Sequence, residues 1–360
     1  MIRPMDRGTI AVYEQRAKEW RDRRPARFAE RARALGRAVG RGRVRIDAGC
    51  GAGLHLRDLG RPVVALDAAH AMLQLAREAA PHAWCVQADL ERLPFRRGSI
   101  DGSWALASYL HIRRDHLPWA LRELQQVVSV GASASFTMRR GAAAEGELPG
   151  DDFPGRFFAE WEPEPLRDVL TGAGFEVGAM ESTQEWINVQ VTRSRTLPDV
   201  VGPEMRVLVC GLNPSLYAAD VGVGFARPGN RFWPAALAAG LVSADRDPGH
   251  ALQHHAVGMT DLVKRATVGA DELKKAEYVE GMARVERLVE WLQPRVVCFV
   301  GLAGWRAAKD KKATAGEQPE ALGGRPVYVM PNPSGLNAHS KLDDFTEHLR
   351  GVIALADVSV

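Results

Sequence analysis

Short apolar runs alternate with amphipathic stretches along the first half of the chain. Apolar runs of four to eight residues predict buried strands, and apolar residues spaced three and four apart predict helices. The predicted strands lie at residues 44–47, 63–67, 84–88, 100–106, 134–138, 175–181 and 185–192, and the predicted helices at 11–40, 71–80, 116–127 and 162–173. Strands that alternate with helices indicate βαβ units and a mostly parallel sheet.

The second half repeats this alternation after a polar stretch. Residues 193–205 carry two prolines and one glycine, which favours a linker. Residues 307–319 have no apolar period and are predicted to form a mobile surface loop. New strands are predicted at residues 206–210, 296–300 and 326–330, and a helix at 278–292. We therefore expect an α/β protein with domains at 1–195 and 205–360 and a linker at 196–204.

Composition restricts the possible protein classes. A length of 360 residues fits two domains. No run of about 18 apolar residues predicts a membrane span, and the N-terminus lacks the apolar core of a signal peptide, so we expect a cytoplasmic protein without a membrane partner. None of the four cysteines forms a Cys-x-x-Cys pair, and two fall in each half, which favours buried free thiols over an iron–sulfur cluster or another metal site.

Charge is distributed unevenly. Residues 1–45 hold 14 basic and 5 acidic residues, whereas residues 204–360 hold 18 of each. Two interpretations of the basic N-terminal arm stay open, a surface that binds a polyanion and a solvated, arginine-rich helical face.

A glycine-rich turn follows the first predicted strand. Residues 46–53 read Ile-Asp-Ala-Gly-Cys-Gly-Ala-Gly, and an acidic residue, Asp67, ends the second strand 20 residues after Asp47. Glycine lets the backbone approach a nucleotide-like cofactor closely, and a carboxylate after the second strand can accept hydrogen bonds from ribose hydroxyls. The candidate cofactor-binding residues of this segment are Asp47, Gly49, Gly51, Gly53 and Asp67.

With the segments at 89–95, 100–104 and 121–124, this turn resembles the class I S-adenosylmethionine-dependent methyltransferases over about residues 8–192. The resemblance implies a Rossmann-like sheet and S-adenosylmethionine as cofactor, with Asp67 on the ribose and Asp89 near the adenine amine. It does not identify the methyl acceptor. Tyr109 and His111 fall where the acceptor pocket of similar enzymes opens, and His111 is either a base or a packed helix-end residue. A degenerate, inactive domain is the alternative.

Two further motifs begin more than 100 residues apart in the second half. The first motif spans residues 210–233 and includes Cys-Gly-Leu-Asn-Pro-Ser at 210–215 and Phe-Ala-Arg-Pro-Gly-Asn-Arg-Phe-Trp at 225–233. The second, residues 330–337, reads Met-Pro-Asn-Pro-Ser-Gly-Leu-Asn. Together they resemble the mismatch-specific uracil-DNA glycosylase family, which includes thymine-DNA glycosylases. The resemblance covers about residues 205–353 and implies a three-layer α/β/α domain that needs no cofactor and acts on double-stranded DNA with a mispaired or damaged base.

Family analogy assigns roles to the residues of the first motif. Asn213 would orient the attacking water, because an amide cannot serve as a strong base. Pro214 fixes the turn, and Phe225 would stack on the flipped base. Asn230 either contacts the base or braces the pocket loop. Ser215 replaces the usual glycine at the pocket floor, which leads to the hypothesis that uracil is preferred over thymine.

The second motif would contact DNA. Leu336 takes the position of the apolar wedge, and Ser334 that of a phosphate contact; Asn332 and Gly335 belong to the same tight loop. Lys264 and Arg265 are further candidates for phosphate contacts. Ala338 stands where bacterial relatives carry an arginine, so selectivity for the opposite base is expected to be relaxed.

The interpretation we favour is a bifunctional protein. It combines a DNA glycosylase of base excision repair, acting on uracil or related bases in G:U mispairs, with a methyltransferase of unknown acceptor. The alternatives are a small-molecule methyltransferase whose second half only binds nucleic acid, and a glycosylase with an inactive methyltransferase-like half.

Overall fold

The computed structural model describes residues 6–24, 27–335 and 340–358. The chain divides into two compact units, one ending at Ser194 and the other beginning at Arg195. None of the helices in these ranges combines the length and apolarity needed to cross a membrane. All four cysteines carry free thiols; Cys50, Cys210 and Cys298 are buried and Cys85 is partly buried.

The N-terminal unit is built on one mixed sheet. Its strands are β1 (Arg45–Ala48), β2 (Val63–Asp67), β3 (Trp84–Gln87), β4 (Ile100–Leu106), β5 (Val128–Arg140), β6 (Glu145–Glu147), β7 (Phe157–Trp161), β8 (Phe175–Ser182) and β9 (Trp186–Arg193). Strands β3, β2, β1, β4 and β5 are neighbours in that order and run parallel, and β9 pairs antiparallel with β5 and with β8. Strands β6 and β7 form a hairpin that sequence periodicity did not predict.

The helices of this unit cover the sheet and the loops at its edge. They are α1 (Arg7–Arg23), α2 (Ala29–Val39), α3 (Leu56–Leu59), α4 (His70–Ala79), α5 (Leu117–Val127) and α6 (Pro163–Gly172). The basic N-terminal arm thus folds as α1 and α2. Several of its arginines form ion pairs, for example Arg16 with Glu19 and Arg33 with Asp58.

The C-terminal unit has its own sheet, in the order β11, β10, β12, β14, β13. The strands are β10 (Val207–Gly211), β11 (Val257–Asp261), β12 (Val296–Val300), β13 (Gly316–Glu317) and β14 (Val327–Met330), and the helices are α7 (Leu216–Val221), α8 (Phe232–Ala238), α9 (Pro248–His255), α10 (Lys275–Leu292), α11 (Leu302–Ala308) and α12 (Leu342–Val358). Strands β10 and β12 are fully buried, as expected for central parallel strands. Helices α8 and α12 pack together and so do α10 and α11, which gives the α/β/α layers that were predicted.

Two segments that were predicted to be a mobile loop and a linker are ordered by strand pairing and by buried residues. Residues 307–319 contain the edge strand β13, which pairs antiparallel with β14, and they bury Ala313 and Gln318. The predicted linker, residues 196–204, packs into the C-terminal unit: Val201 is fully buried, and Val200 forms an antiparallel bridge with Met259. Apolar residues of this segment therefore belong to the core of the second unit, although its prolines and glycine suggested an exposed connection.

Candidate functional site

The carboxyl ends of β10, β11, β12 and β14 meet at one edge of the C-terminal sheet. Asn213 follows β10, Asp261 ends β11 and Asn332 follows β14. The next strand in the chain, β11, lies on one side of β10, and β12 lies on the other. Such a switch point leaves a crevice beyond the strand ends, where α/β proteins bind ligands. Both motifs of this half therefore border the expected ligand crevice.

The side chain of Asn213 is held in one orientation. Its Nδ2 atom donates to Thr267 Oγ1 at 2.8 Å and to the backbone oxygen of Arg265 at 3.0 Å. A backbone oxygen only accepts hydrogen bonds, so the atom that faces it must be the amide nitrogen. Within the described ranges the Oδ1 atom makes no hydrogen bond. It is thereby available as an acceptor, which is what a water molecule needs in order to be oriented.

Thr267, for which the sequence pattern predicted no role, holds both the side chain and the turn of Asn213. It is 3% exposed, and its backbone joins the Asn213 turn to the segment after β11. Its N–H donates to the Pro214 oxygen at 3.1 Å, and its carbonyl accepts from the Leu216 N–H at 3.2 Å. The turn and the side chain of Asn213 are consequently fixed by the same residue.

Ser215 caps the helix that follows the turn. Its hydroxyl accepts a hydrogen bond from the Ala218 N–H at 3.2 Å, at the N-terminus of α7. Serine is a favoured residue at this position, because the side-chain oxygen satisfies a free backbone donor. The replacement of glycine by serine thus has a local structural reason in addition to any effect on the pocket.

Phe225 and Asn230 lie in the loop between α7 and α8. The Phe225 ring stacks on the buried Phe232 with a centroid distance of 4.3 Å and an interplanar angle of 27°, and it remains partly exposed. Asn230 Oδ1 accepts from the Phe232 N–H at 2.9 Å, which braces the loop. One ring face of Phe225 is therefore backed by protein.

The second motif packs against this loop. The Arg231 N–H donates to the Pro333 oxygen at 3.0 Å, and the Arg231 guanidinium donates to the Ser334 oxygen at 2.8 Å. A Cβ atom on Gly335 would lie 3.2 Å from the Gly229 oxygen, so the two loops touch. Asn332 Oδ1 accepts from the Ser334 N–H at 3.0 Å, which closes the tight turn. Leu336 and Ala338 lie outside the described residues.

A buried ionic network lies beneath the end of β11. Asp199, 3% exposed, accepts from Lys264 Nζ at 2.8 Å, from Thr260 Oγ1 at 2.7 Å and from Arg284 Nη1 at 2.9 Å. Burial alone would raise the pKa of Asp199, but Lys264 and Arg284 outweigh burial and hold it below its usual value. Asp199 belongs to the predicted linker, so its role here was missed.

The predicted phosphate contacts Lys264 and Arg265 are both engaged within the protein. Lys264 belongs to the network of Asp199, and Arg265 pairs with Glu277 at 2.8 Å. Both cations therefore already have an acidic partner within the protein.

In the N-terminal unit, the glycine-rich turn after β1 is closely packed. Gly49, Gly51 and Gly53 all have positive φ values, and a Cβ atom on Gly53 would lie 2.8 Å from Ala76 Cα. A Cβ on Gly51 would lie 3.1 Å from the Trp20 ring on α1. These contacts explain why the sequence has glycine at these positions.

Asp47 and Asp67 flank this turn. Asp67 accepts from the Gly51 N–H at 2.8 Å and from the Ala69 N–H at 2.9 Å. Asp47 is 3% exposed, and within the described ranges its carboxyl makes no hydrogen bond. Burial is the larger cause and the charge of Asp67 the smaller one, and together they raise the pKa of Asp47 to about 8. Such a buried polar group without a protein partner fits a cofactor that supplies the missing hydrogen bonds.

Asp89 lies after β3 at the same sheet edge. Its Oδ1 accepts from the Glu91 N–H at 2.9 Å, which stabilises the turn that begins there. The three acidic residues predicted to bind the cofactor thus lie in or just after three neighbouring strands: Asp47 in β1, Asp67 at the end of β2 and Asp89 after β3.

Tyr109 and His111 are buried. His111 Nδ1 donates to the Phe157 oxygen at 2.6 Å, so its Nε2 accepts from the Tyr13 hydroxyl at 2.8 Å. Burial lowers the pKa of His111 to about 4. Of the two interpretations of His111, this geometry favours the packed residue, because neither ring nitrogen is available to a methyl acceptor.

Each half of the chain matches the model of a known protein family. Residues 198–353 match the family model of the uracil DNA glycosylase superfamily, and residues 46–136 match that of a methyltransferase domain. These matches confirm the two resemblances noted in the sequence.

The similar solved structures include several methyltransferases. One is the Burkholderia thailandensis 1,6-didemethyltoxoflavin-N1-methyltransferase with bound 1,6-didemethyltoxoflavin and S-adenosylhomocysteine, at 17% identity over 51% of this chain and 85% of that chain, with a TM-score of 0.42. Two others are S-adenosylmethionine-dependent methyltransferases. The one from Mesorhizobium loti has 20% identity over 44% of this chain and 96% of that chain, with a TM-score of 0.37. The one from Aquifex aeolicus has 18% identity over 49% and 97%, with a TM-score of 0.39.

Proposed function

We propose that this chain, which joins a methyltransferase domain to a uracil DNA glycosylase superfamily domain, is a bifunctional enzyme. Its C-terminal half hydrolyses the N-glycosidic bond of uracil or a related damaged base in double-stranded DNA, with G:U mispairs as the preferred substrate. Its N-terminal half transfers a methyl group from S-adenosylmethionine to an acceptor that the sequence does not identify.

The fixed orientation of the Asn213 amide is the main observation that supports the proposed glycosylase activity. Thr267 and the Arg265 oxygen hold its nitrogen, so Oδ1 is left to accept a hydrogen bond from the attacking water. Orienting a water in this way lowers the entropic part of the barrier. An amide does not remove the proton as a carboxylate would. The enzyme should therefore act slowly and favour bases that are weakly paired or leave easily.

The surrounding loops are suited to hold a flipped nucleotide. Phe225 is backed by Phe232 and stacks its other ring face on the base, a contact typically worth about 1–3 kcal/mol. Asn332, Ser334, Gly335 and Leu336 are assigned to the DNA side of the pocket. The preference for uracil over thymine, based on Ser215, stays a prediction that equal cleavage of G:T and G:U duplexes would contradict.

The cofactor residues fit S-adenosylmethionine. The buried Asp47 and the turn at Gly49, Gly51 and Gly53 would line its methionine portion, Asp67 its ribose, and Asp89 its adenine amine. When bound, the cofactor supplies an electrophilic methyl group. The protein residues bind and orient it, and α1 covers the glycine turn through Trp20.

The decisive experiment is strand cleavage, after alkali, of a labelled duplex that contains one G:U mispair. Wild type should cleave at the uracil, Asn213→Ala should not, and Asp67→Ala should cleave normally because its change lies in the other unit. Absence of cleavage by wild type on both duplex and single-stranded uracil would reject the glycosylase proposal. That result would support the alternative in which the C-terminal half only binds nucleic acid.

The same variants test the methyltransferase half. S-adenosylmethionine should bind saturably to wild type and to Asn213→Ala, and binding should be lost in Asp67→Ala. Binding that is equal in all three proteins, or absent from wild type, would reject the assignment of the cofactor site.

A further inference from the structure

One carboxyl group near the Asn213 turn has no side-chain partner among the residues that the structure describes. Asp261 ends β11 directly beside Gly211 on β10. A Cβ atom on Gly211 would lie 2.5 Å from Asp261 Oδ1 and 3.3 Å from Phe225 Cζ. The carboxyl group and the edge of the stacking ring thus share the space that the missing side chain leaves open.

Asp261 makes no side-chain hydrogen bond or ion pair with any residue that the structure describes, although it is partly buried. A polar group that loses water without gaining a partner destabilises the folded protein, so each such group calls for an explanation, of which a bound ligand is one. The partner that Asp261 lacks would be supplied by the occupant of the pocket.

The charged groups around Asp261 are already paired with one another. Lys264 after β11 and Arg284 on α10 both bind Asp199, and the thiol of Cys210 on β10 is buried. Burial, with a smaller contribution from Asp199, raises the pKa of Asp261 to about 6 against the opposing effect of the two cations. Its neutral and ionised forms are therefore both populated near neutral pH.

The two forms differ in what they offer a departing base. A neutral carboxyl has one O–H donor beside one acceptor, whereas a carboxylate only accepts. When the glycosidic bond breaks, its electron pair goes to the base and negative charge spreads onto the base carbonyl oxygens. A neutral carboxyl donates a hydrogen bond to such an oxygen, but a carboxylate repels it.

We propose that Asp261 is a catalytic residue that acts in its neutral form as a hydrogen-bond donor to a carbonyl oxygen of the departing base. This inference rests on the proposed glycosylase function. In the reaction, the water oxygen bonds to C1′ as the bond from C1′ to the base nitrogen breaks, and the proton of the water passes to bulk solvent. Asp261 keeps its own proton throughout. The substrates it suits are bases with a carbonyl next to a ring N–H, as in uracil.

The proposal predicts an acidic preference that depends on one side chain. Single-turnover cleavage of the G:U duplex by wild type should be constant below about pH 6 and fall about tenfold per pH unit above it. Asp261→Asn carries a permanently neutral donor of the same shape, so its rate should be independent of pH and exceed that of wild type at pH 8. Asp261→Ala, without a donor, should be slow at every pH.

Matched controls separate this effect from general charge removal. Asp245→Asn removes an exposed carboxylate elsewhere in the unit and should keep the wild-type profile. Thermal melting of each variant checks that it folds. A wild-type rate without the decline above pH 6, or an Asp261→Asn rate that declines in the same way as wild type, would overturn the proposal.

A binding measurement keeps the test independent of catalysis. The probe is a duplex with non-hydrolysable 2′-fluorouridine opposite guanine, compared with a fully matched duplex. Wild type should prefer the probe at pH 5.5 and lose the preference at pH 8, whereas Asp261→Asn should keep it. If wild type cleaves nothing but shows this pattern, the glycosylase function fails and the catalytic role of Asp261 fails with it, although Asp261 still contacts the base in its neutral form. If the preference ignores pH in both proteins, the donor role fails.

Discussion

Replacement of Thr267 by valine would test how the amide of Asn213, which we propose orients the attacking water, is held. Valine has the same shape as threonine, so packing around this buried position is kept, but the Oγ1 acceptor of the 2.8 Å bond from Asn213 is lost. A neutral hydrogen bond contributes about 0.5–1.5 kcal/mol net. If that amount is lost in the transition state, the cleavage rate falls about 2- to 12-fold, since about 1.4 kcal/mol corresponds to tenfold.

The assay is single-turnover cleavage of the G:U duplex at saturating enzyme, which isolates the chemical step from DNA binding. Thr267→Val should lower the rate and leave the affinity for DNA unchanged. Thr267→Ser keeps the oxygen and should stay close to wild type. A Thr267→Val rate equal to wild type, or an equal loss in both variants, would refute the idea that the hydroxyl positions Asn213.

Three further predictions follow from the packing. Asp199→Asn leaves two buried cations without their counter-charge and should lower the free energy of unfolding by about 3–5 kcal/mol, measured by chemical denaturation. Because the pKa of Asp199 is lowered in the fold, its stabilisation is present above about pH 4 and is lost as pH falls further, so acid should reduce the difference from wild type. Phe225→Ala should weaken binding of the 2′-fluorouridine duplex at least severalfold more than that of matched DNA. Gly49→Ala, whose Cβ would overlap Ser108 at a positive φ, should abolish S-adenosylmethionine binding in equilibrium dialysis without affecting uracil cleavage.

The parallel strands could be predicted because each is a short, continuous apolar run with polar residues at its carboxyl end. That pattern placed Asn213 after β10 and Asp67 at the end of β2. It could not reveal the role of Thr267, whose contact with Asn213 spans 54 positions and depends on how β10 and β11 align. A side chain that acts through another residue leaves no local signal.

The failure to predict other segments has a related cause. The strands β6 and β13 are short edge elements that lack a hydrophobic period, so pairing with a neighbour defines them. Asp199 stands in a stretch whose prolines and polar residues are typical of a linker, and only tertiary structure shows that its carboxylate neutralises a buried site.

The segment before β10 determines where the second half can be cut from the first. A gene truncated to begin at residue 205, the predicted domain start, would encode every strand of the C-terminal sheet but not Asp199. Lys264 and Arg284 would then lose the carboxylate that both of them bind. A stand-alone version of this half has to begin before Asp199, so its working boundary is set by electrostatic balance rather than by its first strand.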